Sequence, residues 1–329
     1  MKADDWRVSP SAEIAPLYDA EIARWASVLH WDTRESWTSV EAARAAGSLP
    51  GFVARDARGA MRGWTFFVRG DAAIQIGAFE ADSPETTAIL LDAIAASPHA
   101  ASVSAMVLFA FSGAPGLTAQ LEARGFAVEQ YRYLQTDLTR RAWLEPGAAS
   151  SGAVQGSRPA CWRDHDHDGV PALLASAYPA HDPARPFARH GRPHEWITYV
   201  RQLVTTTGCG AFLPHASYIV PGASAARPAA ATLVTKLSHD TVHLAQVAVA
   251  PEARGRGLAR RVVTASLAAA DAAGYARATL LVSERNRPAH RVYDRLGFAE
   301  VAVFVSAVRD QPRRSTSAAL ETGGAMTLR

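Results

Sequence analysis

Cysteine is nearly absent: Cys161 and Cys209 are the two in 329 residues. They could form at most one disulfide, too few for a secreted disulfide scaffold or a cysteine-ligated zinc site. No apolar run approaches the ~20 residues needed to cross a bilayer, so no membrane helix is expected. The first residues, Met1 to Trp6, carry no apolar leader, and a cytoplasmic protein with no membrane partner is expected. Charge of one sign is not in excess: the net charge is +3, and the arginines are scattered rather than gathered, which argues against nucleic acid as a partner. Two phosphate-binding motifs are missing as well. There is no Gly-x-x-x-x-Gly-Lys-Ser/Thr and no Gly-x-Gly-x-x-Gly after a strand, which excludes a P-loop NTPase and disfavours a dinucleotide fold. A His-Glu-x-x-His metal helix is also lacking. Asp164-His165-Asp166-His167-Asp168 reads as helix capping and solvated loop, because adjacent residues in a turn rarely converge on one ion. No metal is expected.

Hydrophobic residues make up 48% and charged residues 20%, the balance of a globular chain long enough for two domains. The most informative block runs from Val247 to Ala259. An alternating apolar strand, Val247-Ala248-Val249-Ala250, leads through Pro251-Glu252-Ala253 into Arg254-Gly255-Arg256-Gly257-Leu258-Ala259, which opens an Ala/Leu/Val-rich helix. Glycines let the backbone approach an anion, successive N–H groups point inward, and the helix dipole adds partial positive charge. The block therefore predicts a phosphate-binding turn. A second element follows: Asn286, Ala289, Tyr293 and Gly297-Phe298, spaced along one short helix.

Together these elements resemble the GCN5-related N-acetyltransferase (GNAT) superfamily, whose acyl-CoA loop reads Gln/Arg-x-x-Gly-x-Gly/Ala and whose later helix carries Asn, Ala, Tyr and a terminal Gly-Phe. The resemblance implies acetyl-CoA as co-substrate, held by the backbone N–H groups from Arg254 to Ala259. It implies that the strand bearing Val247 and Val249 splays from its neighbour and pairs with pantetheine, that Asn286 contacts the cofactor arm, and that Tyr293 acts as general acid toward the leaving thiolate. Asn286 reads equally as a helix cap, and Tyr293 as a half-buried aromatic on an amphipathic helix. In several members a Glu eleven residues before the motif serves as base. Counting back from Arg254 gives His243, an imidazole suited to act directly or through water, or else a strand-end histidine near solvent. By alternation His243 shares a face with Ala245, Val247 and Val249. Glu284 is the second candidate, and many members use water chains instead.

The implied activity is an acyl-CoA-dependent N-acetyltransferase moving acetyl to a small-molecule or peptide amine by direct attack in a ternary complex. The alternatives are a non-catalytic acyl-CoA-binding sensor or scaffold, or a transferase of longer acyl groups. His181, Asp182, Arg185, His190 and His194 fall where that family lines its acceptor site.

The composition shifts to small residues near Glu145 to Gly152, which reads as a linker. Either side of it, the element order repeats. Ile74–Phe79 parallels Ala245–Ala250, and Gly125-Phe126 parallels Gly297-Phe298 at an offset of 297 − 125 = 172 residues. The expected fold is α/β (α+β): two GNAT-like domains in tandem, each a mixed, mostly antiparallel twisted sheet flanked by helices. The expected limits are a degenerate domain over 1–142, a linker over 143–158, the catalytic domain over 159–310 and a polar, flexible tail over 311–329. In place of Arg-Gly-Arg-Gly the first half has Glu80 to Thr87, with no glycine, one proline and three carboxylates, and in place of Tyr293 it has Leu121. The first domain is therefore expected not to bind CoA and to shape the acceptor pocket instead, making the chain a monomeric pseudo-dimer.

Overall fold

The computed structural model describes residues 1–70, 73–141, 143, 158–164, 166–178, 182, 185–206, 208–222 and 227–310. The expected tail, nearly all of the expected linker and His181 lie outside the described residues.

The first half runs β1 (Lys2–Asp5), α1 (Ser11–Arg24), a π-helical turn (Trp25–Leu29), α2 (Arg34–Ala45), β2 (Gly51–Arg55), β3 (Met61–Arg69), β4 (Ala73–Ala81), α3 (Pro84–Ala96), α4 (Pro98–Ala101), β5 (Ala105–Ala110), α5 (Leu117–Ala123) and β6 (Ala127–Asp137). The second runs β7 (Ala160–Cys161), α6 (Asp166–Ala177), α7 (Pro193–Thr205), β8 (Ala211–Phe212), β9 (Tyr218–Val220), β10 (Ala230–Lys236), β11 (Thr241–Val249), α8 (Leu258–Ala272), β12 (Arg277–Ser283), α9 (Arg287–Asp294) and β13 (Ala299–Asp310).

The repeat has a physical signature. Helices α5 and α9 both stop at a glycine in the left-handed region, Gly125 at φ 76° and Gly297 at φ 77°. The next residue reaches back in each case: the N–H of Phe126 donates to Leu121 O, and that of Phe298 to Tyr293 O, both at 3.1 Å. This is the Schellman closure that a C′ glycine permits. Both phenylalanines are buried. Each half also contains one parallel strand pair, β4 with β5 and β11 with β12, in an otherwise antiparallel arrangement. A one-residue bulge interrupts each neighbouring pair. Phe66 and Phe67 face Ala78 and Ile76, leaving Gly77 over; Leu233 and Val234 face Gln246 and Leu244, leaving Ala245 over. Matching the bulges gives 245 − 77 = 168 residues. The Ile74–Phe79/Ala245–Ala250 correspondence expected from sequence is thus three residues out of step.

The strands form one continuous sheet in the order β1-β2-β3-β4-β5-β13-β6-β12-β11-β10-β9-β7, with β8 also on β10. This order carries strand pairing across the expected domain limits. The last strand of the chain, β13, pairs with β5, and the last strand of the first half, β6, pairs with β12. Each half completes the other's sheet. Val305 and Ala307 of β13 accordingly pack with Leu90, Leu108 and Leu121 of the first half, while Leu134 and Leu138 pack with Leu267, Leu280 and Tyr293 of the second. Trp143, the first residue of the expected linker, is buried in that second core.

Candidate functional site

The parallel pairing of β11 with β12 ends at Leu244/Leu280. Beyond it β11 continues to Val249 with β10 on one side and no described strand on the other, so the sheet opens in a V. This opening is part of a cleft of 3270 Å³ that also reaches Val68, Ser104 and Phe109 of the first half. It gathers His243, Val247, Val249, Arg254, Gly255, Arg256, Gly257, Leu258, Ala259, Asn286 and Tyr293. Of the residues singled out from sequence, Glu284 alone lies elsewhere, in a shallow depression with Thr118 and Glu122. Its carboxylate is 2.8 Å from Arg132, whose guanidinium holds it below the ordinary glutamate range. A carboxylate paired outside the cleft is not placed to take a proton from an amine within it.

At the mouth of the V, the turn before α8 is shaped by Gly255 and Gly257, both left-handed at φ 74° and 72°. A Cβ built on either would meet no atom within 4 Å, so the space above the turn is open. No side chain caps α8, and no described residue accepts from the N–H groups of Gly257, Leu258 or Ala259. A helix start with unsatisfied donors beside four arginines (Arg254, Arg256, Arg260 and Arg261) suits a pyrophosphate. Arg254 also ties the turn to the end of α6, donating to Ala177 O at 2.7 Å.

Asn286 caps α9, its Oδ1 accepting from the Ala289 N–H at 3.3 Å while the residue lines the cleft. Tyr293 is buried edge-on to Phe298, ring centroids 5.7 Å apart, and burial pushes its phenol pKa up. The hydroxyl therefore keeps its proton at neutral pH.

His243 sits at the root of the V, one residue before the pairing ends. The bulge at Ala245 breaks the alternation expected from sequence, so His243 and Val247 are not in simple two-residue phase. Its ring lies between Trp31 and Tyr133, and its Nδ1 is 2.9 Å from Thr279 Oγ1. Burial lowers its pKa to about 4. The imidazole is consequently neutral through the physiological range, and a poor sink for a proton from an ammonium of pKa ~10.

The cleft is also lined by residues that sequence reasoning passed over, and by Asp182, Arg185, His190 and His194, which it had named. Tyr178 donates to Gln246 Oε1 at 2.8 Å, and Gln246 Nε2 donates to Tyr199 at 2.5 Å, tying α6 and α7 to β11 at the bulge. Arg185 is buried over Trp196 at 5.1 Å and donates to Phe187 O and Ala188 O, which fastens the loop between those helices. Asp182, His190 and His194 line the cleft with it. From the exchanged strand β6 come Tyr131 and Glu129, the latter held by Ser283 at 2.5 Å and Arg285 at 2.8 Å. Gln246 carried the one available signal, a polar residue in an apolar strand. Glu129 and Tyr131 could not be found without knowing that β6 crosses over.

The equivalent opening in the first half is filled. Pairing of β4 with β5 ends at Ile76/Leu108, and Arg24 inserts beyond it. Its Nη2 donates to Phe111 O at 2.8 Å and to Glu80 at 2.7 Å, with the guanidinium 4.5 Å above the Phe111 ring. Only Asp82 and Ser83 separate β4 from α3, against eight residues between β11 and α8, and Ser83 caps α3.

Among the described residues no helix is long and apolar enough to cross a membrane, and no three His, Cys, Asp or Glu side chains are grouped to hold a metal ion. Cys161 and Cys209 are free.

Residues 172–298 match the acetyltransferase (GNAT) family model. The fold of the chain is shared by solved structures of low identity. A GCN5-related N-acetyltransferase from Sphaerobacter thermophilus is 12% identical with a TM-score of 0.51, covering 79% of this chain and 80% of that one. A tandem GNAT protein from the clavulanic acid biosynthesis pathway is 18% identical with a TM-score of 0.50, covering 80% and 82%. A GNAT-family acetyltransferase from Colwellia psychrerythraea is 11% identical with a TM-score of 0.51, covering 94% and 99%. No protein of curated function matches the sequence. The chain is thus built as two GNAT-like units in tandem, with the family's sequence pattern in the second.

Proposed function

We propose that the second unit is an N-acetyltransferase that takes acetyl-CoA and acetylates an amine by direct attack, the chain acting as a monomer. The observation that carries this reading is the open turn at Arg254–Ala259, with two left-handed glycines and free helix N–H groups, at the mouth of a splayed strand pair. Those N–H groups and the neighbouring arginines hold the pyrophosphate, and the unpaired edge of β11 at Val247 and Val249 holds the pantetheine amide groups. Bound there, the co-substrate supplies an activated thioester carbonyl. Tyr293 keeps a proton on its hydroxyl and delivers it to the departing thiolate. His243, held neutral, accepts a hydrogen bond from the incoming amine and orients it, while the amine's proton leaves through water in the cleft. The acceptor lies among Tyr178, Tyr199, Gln246, Tyr131 and Glu129, so the first half contributes to acceptor recognition through β6.

The test is calorimetric titration with acetyl-CoA, followed by a thiol-release assay on a panel of primary amines. One site per chain, lost in an Arg254→Glu/Gly257→Glu variant, is expected. Two sites would mean that the filled opening of the first half is not filled in solution. No binding would end the acetyltransferase reading.

A further inference from the structure

We infer that Thr279 is a positioning residue that locks His243 in its Nδ1–H form and so presents an unprotonated Nε2 to the cleft. The functional consequence rests on the acetyl-transfer reading above; the tautomer itself does not. His243 and Thr279 are directly opposed in the parallel β11–β12 register, at the last but one pair before the strands part. Thr279 Oγ1 donates to Val242 O at 3.2 Å. A hydroxyl has one proton, so the 2.9 Å contact between Oγ1 and His243 Nδ1 needs the proton on nitrogen. A neutral imidazole carries only one N–H, which leaves Nε2 with its lone pair. Nε2 has no hydrogen-bond partner among the described residues and is not among their sealed, unsatisfied polar atoms, while His243 lines the cleft.

The ring cannot readily turn to escape this arrangement. Trp31 packs on it with centroids 6.1 Å apart, and Tyr133 lies on it nearly parallel at 6.0 Å and 12°. The Tyr133 hydroxyl gives its proton to Leu29 O at 3.0 Å and offers its oxygen to Thr279, so the Thr279 proton has two oxygen acceptors, Val242 O and Tyr133 Oη, and the imidazole supplies its own. Leu29, Trp31 and Tyr133 all come from the first half, which thereby supplies both jaws of the clamp. Burial alone accounts for the lowered pKa, with no charged group contributing. At neutral pH the variable is therefore which nitrogen holds the proton, not whether the ring is charged. In the first half, the register places Gln75 opposite Val107 at the corresponding positions, with neither imidazole nor hydroxyl. The pair occurs only in the unit that has the glycine turn.

The chemistry explains why the tautomer matters. An attacking amine must keep its lone pair for the carbonyl. A bare Nε2 accepts an amine N–H and leaves that lone pair free; an Nε2–H would donate to it and block attack.

Nitrogen-15 spectroscopy of the imidazoles tests this directly on the full chain. His243→Gln identifies the relevant signals among the 11 histidines. The expected result at neutral pH is a protonated Nδ1 and a bare Nε2 for His243. In Thr279→Val the two tautomers should mix, and kcat/KM for amine acetylation should fall at least ~10-fold, with acetyl-CoA affinity retained. Thr279→Ser, which keeps Oγ, should restore both. An Nε2–H form in the wild-type protein overturns the inference without any variant. A wild-type rate in Thr279→Val overturns the positioning role. If the wild-type protein shows the expected tautomer but acetylates no amine, the acetyl-transfer reading fails and the positioning role fails with it, while the tautomer assignment stands.

Discussion

Tyr293 and Leu121 occupy matching places in helices that end alike, and only the tyrosine carries a hydroxyl. If that hydroxyl protonates the thiolate, Tyr293→Phe should lower kcat by about 10²-fold while leaving acetyl-CoA affinity unchanged in the same calorimetric titration. Loss of binding instead would assign the ring a packing role. His243 makes a second prediction at this scale. Its folded pKa, about 4, lies below the ordinary 6.5, so between those values the unfolded chain binds a proton that the folded one refuses. Stability is then lost as pH falls from 6.5 toward 4, by an amount of order 3 kcal/mol for this group. Glu80 acts in the opposite sense. Burial raises its pKa to about 7, so its contribution improves as pH falls from 7 toward its ordinary value. The difference between wild-type and His243→Gln urea curves isolates the histidine, and that difference should shrink on acidification. A gap that does not change with pH would show that His243 is charged or exposed in solution.

Two strand-to-helix connections account for the difference between the halves. Before α8 the chain spends eight residues on an open turn, and before α3 it spends two and caps the helix with Ser83. Gly257 is the N-cap of α8 in a left-handed conformation, so Gly257→Ala should cost about 1 kcal/mol of stability through backbone strain. The same change should weaken acetyl-CoA by at least ~10-fold, because the strain is relieved by moving the N–H groups that the phosphates need. Chemical denaturation and calorimetry separate the two effects. Equal affinity in the variant would remove the turn from the binding site. On the other side of the pseudo-symmetry, Arg24 closes the V of the first half by giving its donors to Phe111 O and Glu80. If the first unit binds no acetyl-CoA, the filled V accounts for it more directly than the carboxylates near Asp82 that were visible in the sequence.

Strand exchange joins the halves into one sheet. Since β6 and β13 each sit in the other half's sheet, calorimetry should show a single endotherm whose van't Hoff and calorimetric enthalpies agree. A chain ending at residue 298 should fail to fold, because it lacks the strand between β5 and β6. Two separated transitions would mean that the units stand alone. This scale also divides what was legible from what was not. The glycine turn, the Asn–Ala–Tyr–Gly-Phe helix and the repeated Gly-Phe stop could be read directly, because each depends on local geometry: positive φ, helix spacing and a C′ glycine. The bulge at Ala245 could not be read, because extra residues in a strand show only against a partner, and without it His243 was assigned to the wrong phase. The pairing of Glu284 was not legible, because Arg132, which captures it, arrives on a strand from the other half. Local backbone preference therefore determined the glycine turn, the tyrosine helix and the existence of a repeat. Tertiary pairing decided which strand completes which sheet, which opening stays empty and which faces of His243 are covered, since these depend on contacts between residues far apart in the chain.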